Sequence, residues 1–143
     1  MHPESQLLRQ IHPNHFQEGR VLSVAFRPSK KDEGKLSVCD GELCSAKDAF
    51  EYHTVQLGLG SGGTWGVTVN EVTARKLPIE PDPLLERPNP KGGMFPEQKA
   101  HALINFNGLP PKEQGVASSL LAHSATQRGR LHPNSHGDVI ALS

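Results

Sequence analysis

Apolar residues in this chain come in short runs broken by proline, glycine and charge, and the spacing within each run predicts small elements rather than long ones. Leu7, Leu8 and Ile11 form the first run. It stops at His12-Pro13-Asn14, because a residue before proline is displaced from the helical region and Pro-Asn favours a turn; a short strand or helical turn is expected before it. Residues 20–26 alternate, with Val21, Ser23 and Ala25 on one side and Leu22, Val24 and Phe26 on the other, which predicts a strand that Pro28 ends. Residues 30–34 form a charged turn closing on Asp32-Glu33-Gly34, and Leu36 and Val38 carry a second strand to Asp40-Gly41. The two strands together predict a hairpin with a wide basic tip.

Ser45 stands three residues before Asp48 and opens a run through Ala49, Phe50, His53 and Leu57, the pattern of a capped helix over about 46–57. The glycine tract 58–63 breaks that helix, and Trp65, Val67 and Val69 alternate as a third strand, after which Thr68 or Asn70 can cap a brief helix through Lys76. The proline-rich tract 78–96 holds few apolar residues and predicts an extended connection without regular structure. A buried strand is expected at 101–106, followed by a helix that starts at Pro110-Pro111, carries Val116, Ala117, Leu120 and Leu121 at helical spacing, and stops at Gly129. The tail is polar until Val139, Ile140, Ala141 and Leu142, which can dock as a strand or fray.

These elements sum to one α+β domain, a small mixed or antiparallel sheet covered by two main helices. The domain is expected over 1–130, with the 78–96 connection inside it and a C-terminal tail at 131–143. At 143 residues the chain is long enough to bury a core without staples, although an apolar share of 35% and a mean hydropathy of -0.48 predict a modest one. Fifteen basic and fifteen acidic side chains cancel, so no global field favours nucleic acid or an anionic membrane. The first ten residues, MHPESQLLRQ, lack a basic start and an apolar run, and Cys39 and Cys44 do not have the spacing of a redox or zinc-ribbon pair. A cytoplasmic setting with free thiols is the expectation.

Chemistry concentrates between residues 12 and 40. His12, His15, Arg20, Arg27, Lys31, Asp32, Ser37 and Asp40 are the candidate binding surface, since polar residues grouped on turns beside strands are commonly used for recognition. Arg20 or Arg27 could make paired hydrogen bonds to a carboxylate or phosphate, and Lys30, Lys31 and Lys35 add charge that a solvated turn would also carry. The histidine pairs His12/His15 and His132/His136 raise the question of a metal. No HExxH, no paired cysteines and no suitably placed carboxylate accompany them, so no metal is expected. Gly58, Gly60 and Gly63 spell G-x-G-x-x-G, but a helix precedes them and a strand follows, the reverse of a dinucleotide-binding turn. Ser23, Ser37, Cys39 and Cys44 are the possible nucleophiles, and none lies in a nucleophile signature.

The blocks His12-Pro13, Phe16, Gly19-Arg20-Val21, Ala25-Phe26-x-Pro28, Lys31-Asp32-Glu33-Gly34-x-Leu36-Ser37-Val38 and Asp40-Gly41 resemble a family of small bacterial proteins that carries no assigned activity. The likeness runs more weakly through Gly66-Val67-x-Val69, Pro81-Asp82-Pro83 and 101–106 to about Arg128, and nothing matches from Leu131 onward. It implies a bacterial origin and a shared fold. The function expected from the residues is non-enzymatic: an accessory or protein-interaction module that contacts a protein partner through the 12–40 surface and needs no cofactor. The alternative is a small NAD-using enzyme of the ADP-ribosyl-transfer type, with His12 on the ribose, Ser37 or Tyr52 lining a nicotinamide pocket, and Glu97 or Glu113 steering the transferred carbon.

Overall fold

In chain order the strands are β1 (Gln6–Gln10), β2 (Phe16–Gln17), β3 (Arg20–Val21), β4 (Lys35–Asp40), β5 (Thr64–Thr68), β6 (Ile79–Pro81), β7 (Arg87–Pro88), β8 (Met94–Phe95) and β9 (His101–Asn105). The helices are α1 (Ala46–Glu51), α2 (Val69–Thr73) and α3 (Pro111–Arg128). These elements are taken from a computed structural model that describes residues 1–133; His136 and the apolar stretch 139–142 lie outside the described residues. Five strands form one antiparallel sheet in the order β5, β1, β4, β9, β6, while β2 with β3 and β7 with β8 make two small ribbons. The α+β class and the antiparallel sheet are as predicted.

The two-residue period of the strands divides the sheet into two faces. Leu7 of β1 and Ile11 just past its end, Leu36 and Val38 of β4, Trp65 and Val67 of β5 and Ala102 and Ile104 of β9 enter the main core, where they meet Phe26, Phe106 and one side of α3. That side of α3 is built from small residues, Ala117, Ser118, Ala122 and Ala125, all buried. Their size lets the 3-10 turn Ser23–Phe26 approach the helix closely, and Ser118 Oγ donates to the Phe26 carbonyl at 2.9 Å. Each large apolar side chain buried here contributes roughly 1.5–3 kcal/mol. The opposite face carries Leu8, Cys39 and His101 side by side across β1, β4 and β9, and α1 lies over it.

The predicted strand at 20–26 and its hairpin with 35–40 are corrected by the structure. Only Arg20–Val21 is extended, pairing with β2, and Ser23–Phe26 closes into the 3-10 turn. Both edges of β4 are already taken, by β1 and β9, so no ladder is open to 20–26. The segment satisfies its backbone elsewhere: Val21 N donates to Thr126 Oγ1 at 3.0 Å and Leu22 N to the His15 carbonyl at 2.9 Å. The charged turn at 30–34 forms as expected. Ser29 and Asp32 cap a 3-10 turn, and Glu33 (φ 54°) and Gly34 (φ 79°) reverse the chain; a Cβ at Gly34 would collide with Asn107.

Ser45 caps α1 by accepting from Asp48 N at 3.0 Å, and the predicted helix continues past Glu51 as a π turn, Tyr52–Gln56, in which Leu57 N reaches the Tyr52 carbonyl at 2.9 Å. Thr68 caps α2 in a reciprocal box with Glu71, whose carboxylate also takes a two-pronged contact from Arg128 at 3.0 and 2.9 Å. The tract 78–96 is more ordered than its composition predicts, since β6 pairs with β9 and the β7/β8 ribbon forms within it. After α3, Leu131 N donates to the Thr64 carbonyl at 2.8 Å, so the chain returns to the free edge of β5. Among the described residues no helix is long and apolar enough to cross a membrane.

Candidate functional site

A concave feature lined by both the sheet and the π turn lies on the α1 side of the sheet. It is a half-open cavity of about 390 Å³, at the small end of the range typical of ligand pockets, roughly 300–1,000 Å³. Its floor is Leu8, Ser37 and Cys39 of the sheet, its roof Ala49, Tyr52, His53 and Leu57, and its rim Leu59 and Leu84. Two anchored segments shape the roof. The glycine tract folds back onto the π turn, with Leu59 N donating to the His53 carbonyl at 3.0 Å and His53 Nε2 to the Gly60 carbonyl at 3.2 Å; Gly58 turns there with φ 68°. The proline-rich segment is tied down by Tyr52, whose hydroxyl donates to the Pro96 carbonyl at 2.8 Å and accepts from Arg87 at 3.1 Å.

At one end of the cavity the sheet splits. Pairing of β1 with β4 ends at Leu8 and Cys39, and the Arg9 side chain crosses the gap, Nε donating to the Ala25 carbonyl and Nη1 to the Ser37 carbonyl at 2.8 Å. Arg9 and Val38 both belong to the cavity wall there. Arg9 occupies an inward position between Leu7 and Ile11, and its guanidinium sits deep enough that lost solvation brings its pKa down to about 10, with the Asp32 carboxylate pulling the other way. No carboxylate of the described residues lies within 4.0 Å of it. Its Nη2 makes no hydrogen bond among those residues.

Burial lowers the basicity of His53, against the Gly60 carbonyl contact that raises it, and the nearby Arg9 charge lowers it further. His101 is held by Asp82, its Nδ1 lying 3.0 Å from the carbonyl and 3.1 Å from the carboxylate. The thiols of Cys39 and Cys44 face each other. The contact with Cys44 pushes Cys39 up, with burial and the Asp40 carboxylate adding to it, and the same contact holds Cys44 below the ordinary thiol value. Cys39 in the cavity floor is therefore a proton donor and a poor nucleophile at neutral pH.

The eight candidate residues do not form one surface. Ser37 is exposed in the cavity floor, and its hydroxyl makes no hydrogen bond among the described residues. Asp32 and His15 stand near the Arg9 charge without touching it: Asp32 is committed to Ser29, and burial, His12 and Arg9 all lower the basicity of His15. His12 is exposed, caps the first 3-10 turn through Nδ1 and lies ring to ring with His15 at 5.3 Å. Arg27 and Lys31 are exposed, whereas Asp40 is buried in its turn, accepting from Glu42 N at 2.9 Å. Arg20 lies on the other side of the molecule, in a groove against Ser119, His123 and Gln127 of α3. Tyr52 lines the cavity, but His12, Glu97 and Glu113 do not.

Sequence reasoning missed Arg9, His53 and His101. Arg9 carried a readable signal, a charge at the middle position of the alternating set Leu7, Arg9, Ile11; the partners of the two histidines are far away in sequence and gave none. His132 packs its ring against Phe50 at 5.0 Å, and among the described residues no group of three His, Cys, Asp or Glu is placed to hold a metal ion. Comparison with protein-family models, with curated proteins and with solved structures finds no match for this chain.

Proposed function

We propose that this protein is a non-enzymatic binding module whose ligand is a small molecule held in the cavity between the sheet and the π turn. The observation that carries the reading is the construction of the roof: a π turn, a glycine tract and a proline-rich segment are each fixed by specific hydrogen bonds around a space to which Leu8, Ala49, Leu57, Leu59 and Leu84 give an apolar surface. Packing alone would have collapsed such a space, because an empty apolar volume forfeits contacts on every side. Cytoplasmic residence suits the facing free thiols, which an oxidising compartment would tend to join. Titration of the intact chain with decanol should show saturable 1:1 binding. Leu57→Trp, which fills the cavity, should remove it, and Val55→Trp, on the exposed side of the same turn, should not. Non-saturable binding by both variants alike would refute the reading.

A second reading, contact with a protein partner, is favoured by the outer side of α3. Val116 and Leu120 are 54% and 40% exposed one turn apart on the helix that also walls the Arg20 groove. It puts the contact at Arg20 and α3, with Lys31 outside it; a partner captured by the wild type should be lost with Arg20→Ala and Leu120→Glu together and kept with Lys31→Ala. The NAD-using alternative predicts heat on titration with NAD and has only Tyr52 and Ser37 of its named residues in the cavity.

A further inference from the structure

Building on the cavity reading above, we propose that the ligand is a carboxylate attached to an apolar chain, its carboxylate seated on Arg9 Nη2 and Ser37 Oγ at the split between β1 and β4. Charge is the first argument. A partly buried guanidinium whose hydrogen-bond partners among the described residues are carbonyl oxygens keeps its full charge uncompensated, and an anion brought to it gains a charge-assisted contact. The described residues supply none in contact: the nearby Asp32 carboxylate is turned to Ser29 at 2.8 and 2.7 Å. Geometry is the second argument. Nε and Nη1 are fixed on the Ala25 and Ser37 carbonyls, so the fork is rigid and Nη2 is left over; Arg9 and Ser37 both line the cavity, and the Ser37 hydroxyl makes no hydrogen bond among the described residues. The remaining polar side chain at that end, Gln10, is already committed, donating to Thr64 Oγ1 at 2.7 Å and accepting from Ser61 Oγ at 2.9 Å.

The rest of the cavity selects the body of the ligand. Beyond the split Leu8, Ala49, Leu57, Leu59 and Leu84 offer dispersion contact, and the polar side chains beside them are engaged within the protein, Tyr52 with Pro96, His53 with Gly60, Gln98 with Ala100 and His101 with Asp82. A molecule with a single anionic head and a hydrocarbon tail matches both ends. A phosphate ester with a polar body would leave its hydroxyls facing leucines, and an uncharged lipid would leave Arg9 without an anion.

The test titrates the intact chain by calorimetry at pH 7.5 with decanoate and with decanol, which share a tail and differ in the head. Decanoate should bind with 1:1 stoichiometry and about tenfold or more tighter than decanol, the advantage of a charge-assisted contact. Ser37→Asp is the decisive variant, because Ser37 is exposed and carries no structural bond. Its carboxylate would sit where the ligand's does. It should raise the thermal midpoint by giving Arg9 a partner, and weaken decanoate about tenfold or more relative to decanol. Arg9→Gln should erase the preference for decanoate; should that variant unfold, Ser37→Asp decides alone. Equal affinity of the wild type for the two probes, or undiminished decanoate binding by Ser37→Asp, would overturn the carboxylate proposal while leaving the cavity reading intact. Failure of both probes to bind the wild type would overturn both.

Discussion

Arg128 joins three elements of the fold. Its guanidinium meets both oxygens of Glu71 and also donates to the Gly66 carbonyl at 2.9 Å, so one side chain ties the end of α3 to the start of α2 and to β5. Both partners are about three-quarters shielded, and Arg128→Met would leave the Glu71 carboxylate half-buried without its cation, at a cost of about 2 kcal/mol in chemical denaturation. Burial alone would raise the Glu71 pKa, but the Arg128 and Thr68 hydrogen bonds outweigh it and hold the carboxyl below its ordinary value. A folded value below the unfolded one means that the stabilisation is present above the unfolded pKa and is lost as pH falls through the folded one. Unfolding of the wild type near pH 3 should therefore be steeper in pH than that of Glu71→Gln. His53 acts in a different window. Its folded pKa is also depressed, but here the favoured form is neutral, so the unfolded chain binds a proton that the folded chain resists and stability falls as pH drops below the ordinary histidine value, about 6.5. His15 adds in the same direction. Denaturant midpoints at pH 7.5 and 5.5 should differ in the wild type and differ less in His53→Gln; an unchanged difference would assign the slope elsewhere.

At the scale of elements, the instructive case is Ser23–Phe26. A strand would place Val24 and Phe26 on one face and Ala25 on the other, whereas the 3-10 turn buries Ala25 and Phe26 together, at 1% and 0% exposure, and leaves Val24 at 43%. Two substitutions separate these geometries. Val24→Ser should change stability by no more than about 0.5 kcal/mol, while Ala25→Leu, pressed against the small-residue side of α3, should cost about 1–3 kcal/mol in the same denaturation assay. A large effect of the first and none of the second would restore the strand. Local signals were enough for the capped starts of α1 and α2, for the Glu33-Gly34 reversal and for the proline start and glycine stop of α3, because each is decided within a few residues. The alternation at 20–26 misled because strand formation also requires a free neighbour, and β4 had none left. The cavity was illegible for the same kind of reason. Ser37 was found, but its significance comes from Arg9, His53 and Leu84, which only the sheet order brings around it.

For the whole molecule, the two sides of the sheet are built for different work. One side packs α3 and the Ser23–Phe26 turn onto nearly inaccessible side chains, while the other holds its roof through a π turn, a glycine tract and a proline-rich segment around open space. Opening the roof exposes few buried apolar groups and breaks individual hydrogen bonds such as Tyr52 to Pro96, whereas opening the α3 side requires dismantling the core that contains Phe26, Phe106 and Leu121. Amide exchange should therefore resolve two classes. Amides of α1, the π turn and Leu84, together with Gln98, should exchange through a local opening well below the global unfolding free energy, and those of β9 and the buried side of α3 only near it. Decanoate, if it seats on Arg9 and Ser37, binds the closed roof and not the opened one, so it should slow the first class in proportion to its occupancy by mass action and leave the second class unchanged until ligand-stabilised global unfolding is reached. Uniform protection of both faces in the free protein would show that the roof is as firmly held as the core, and the cavity would then be a packing defect rather than a door.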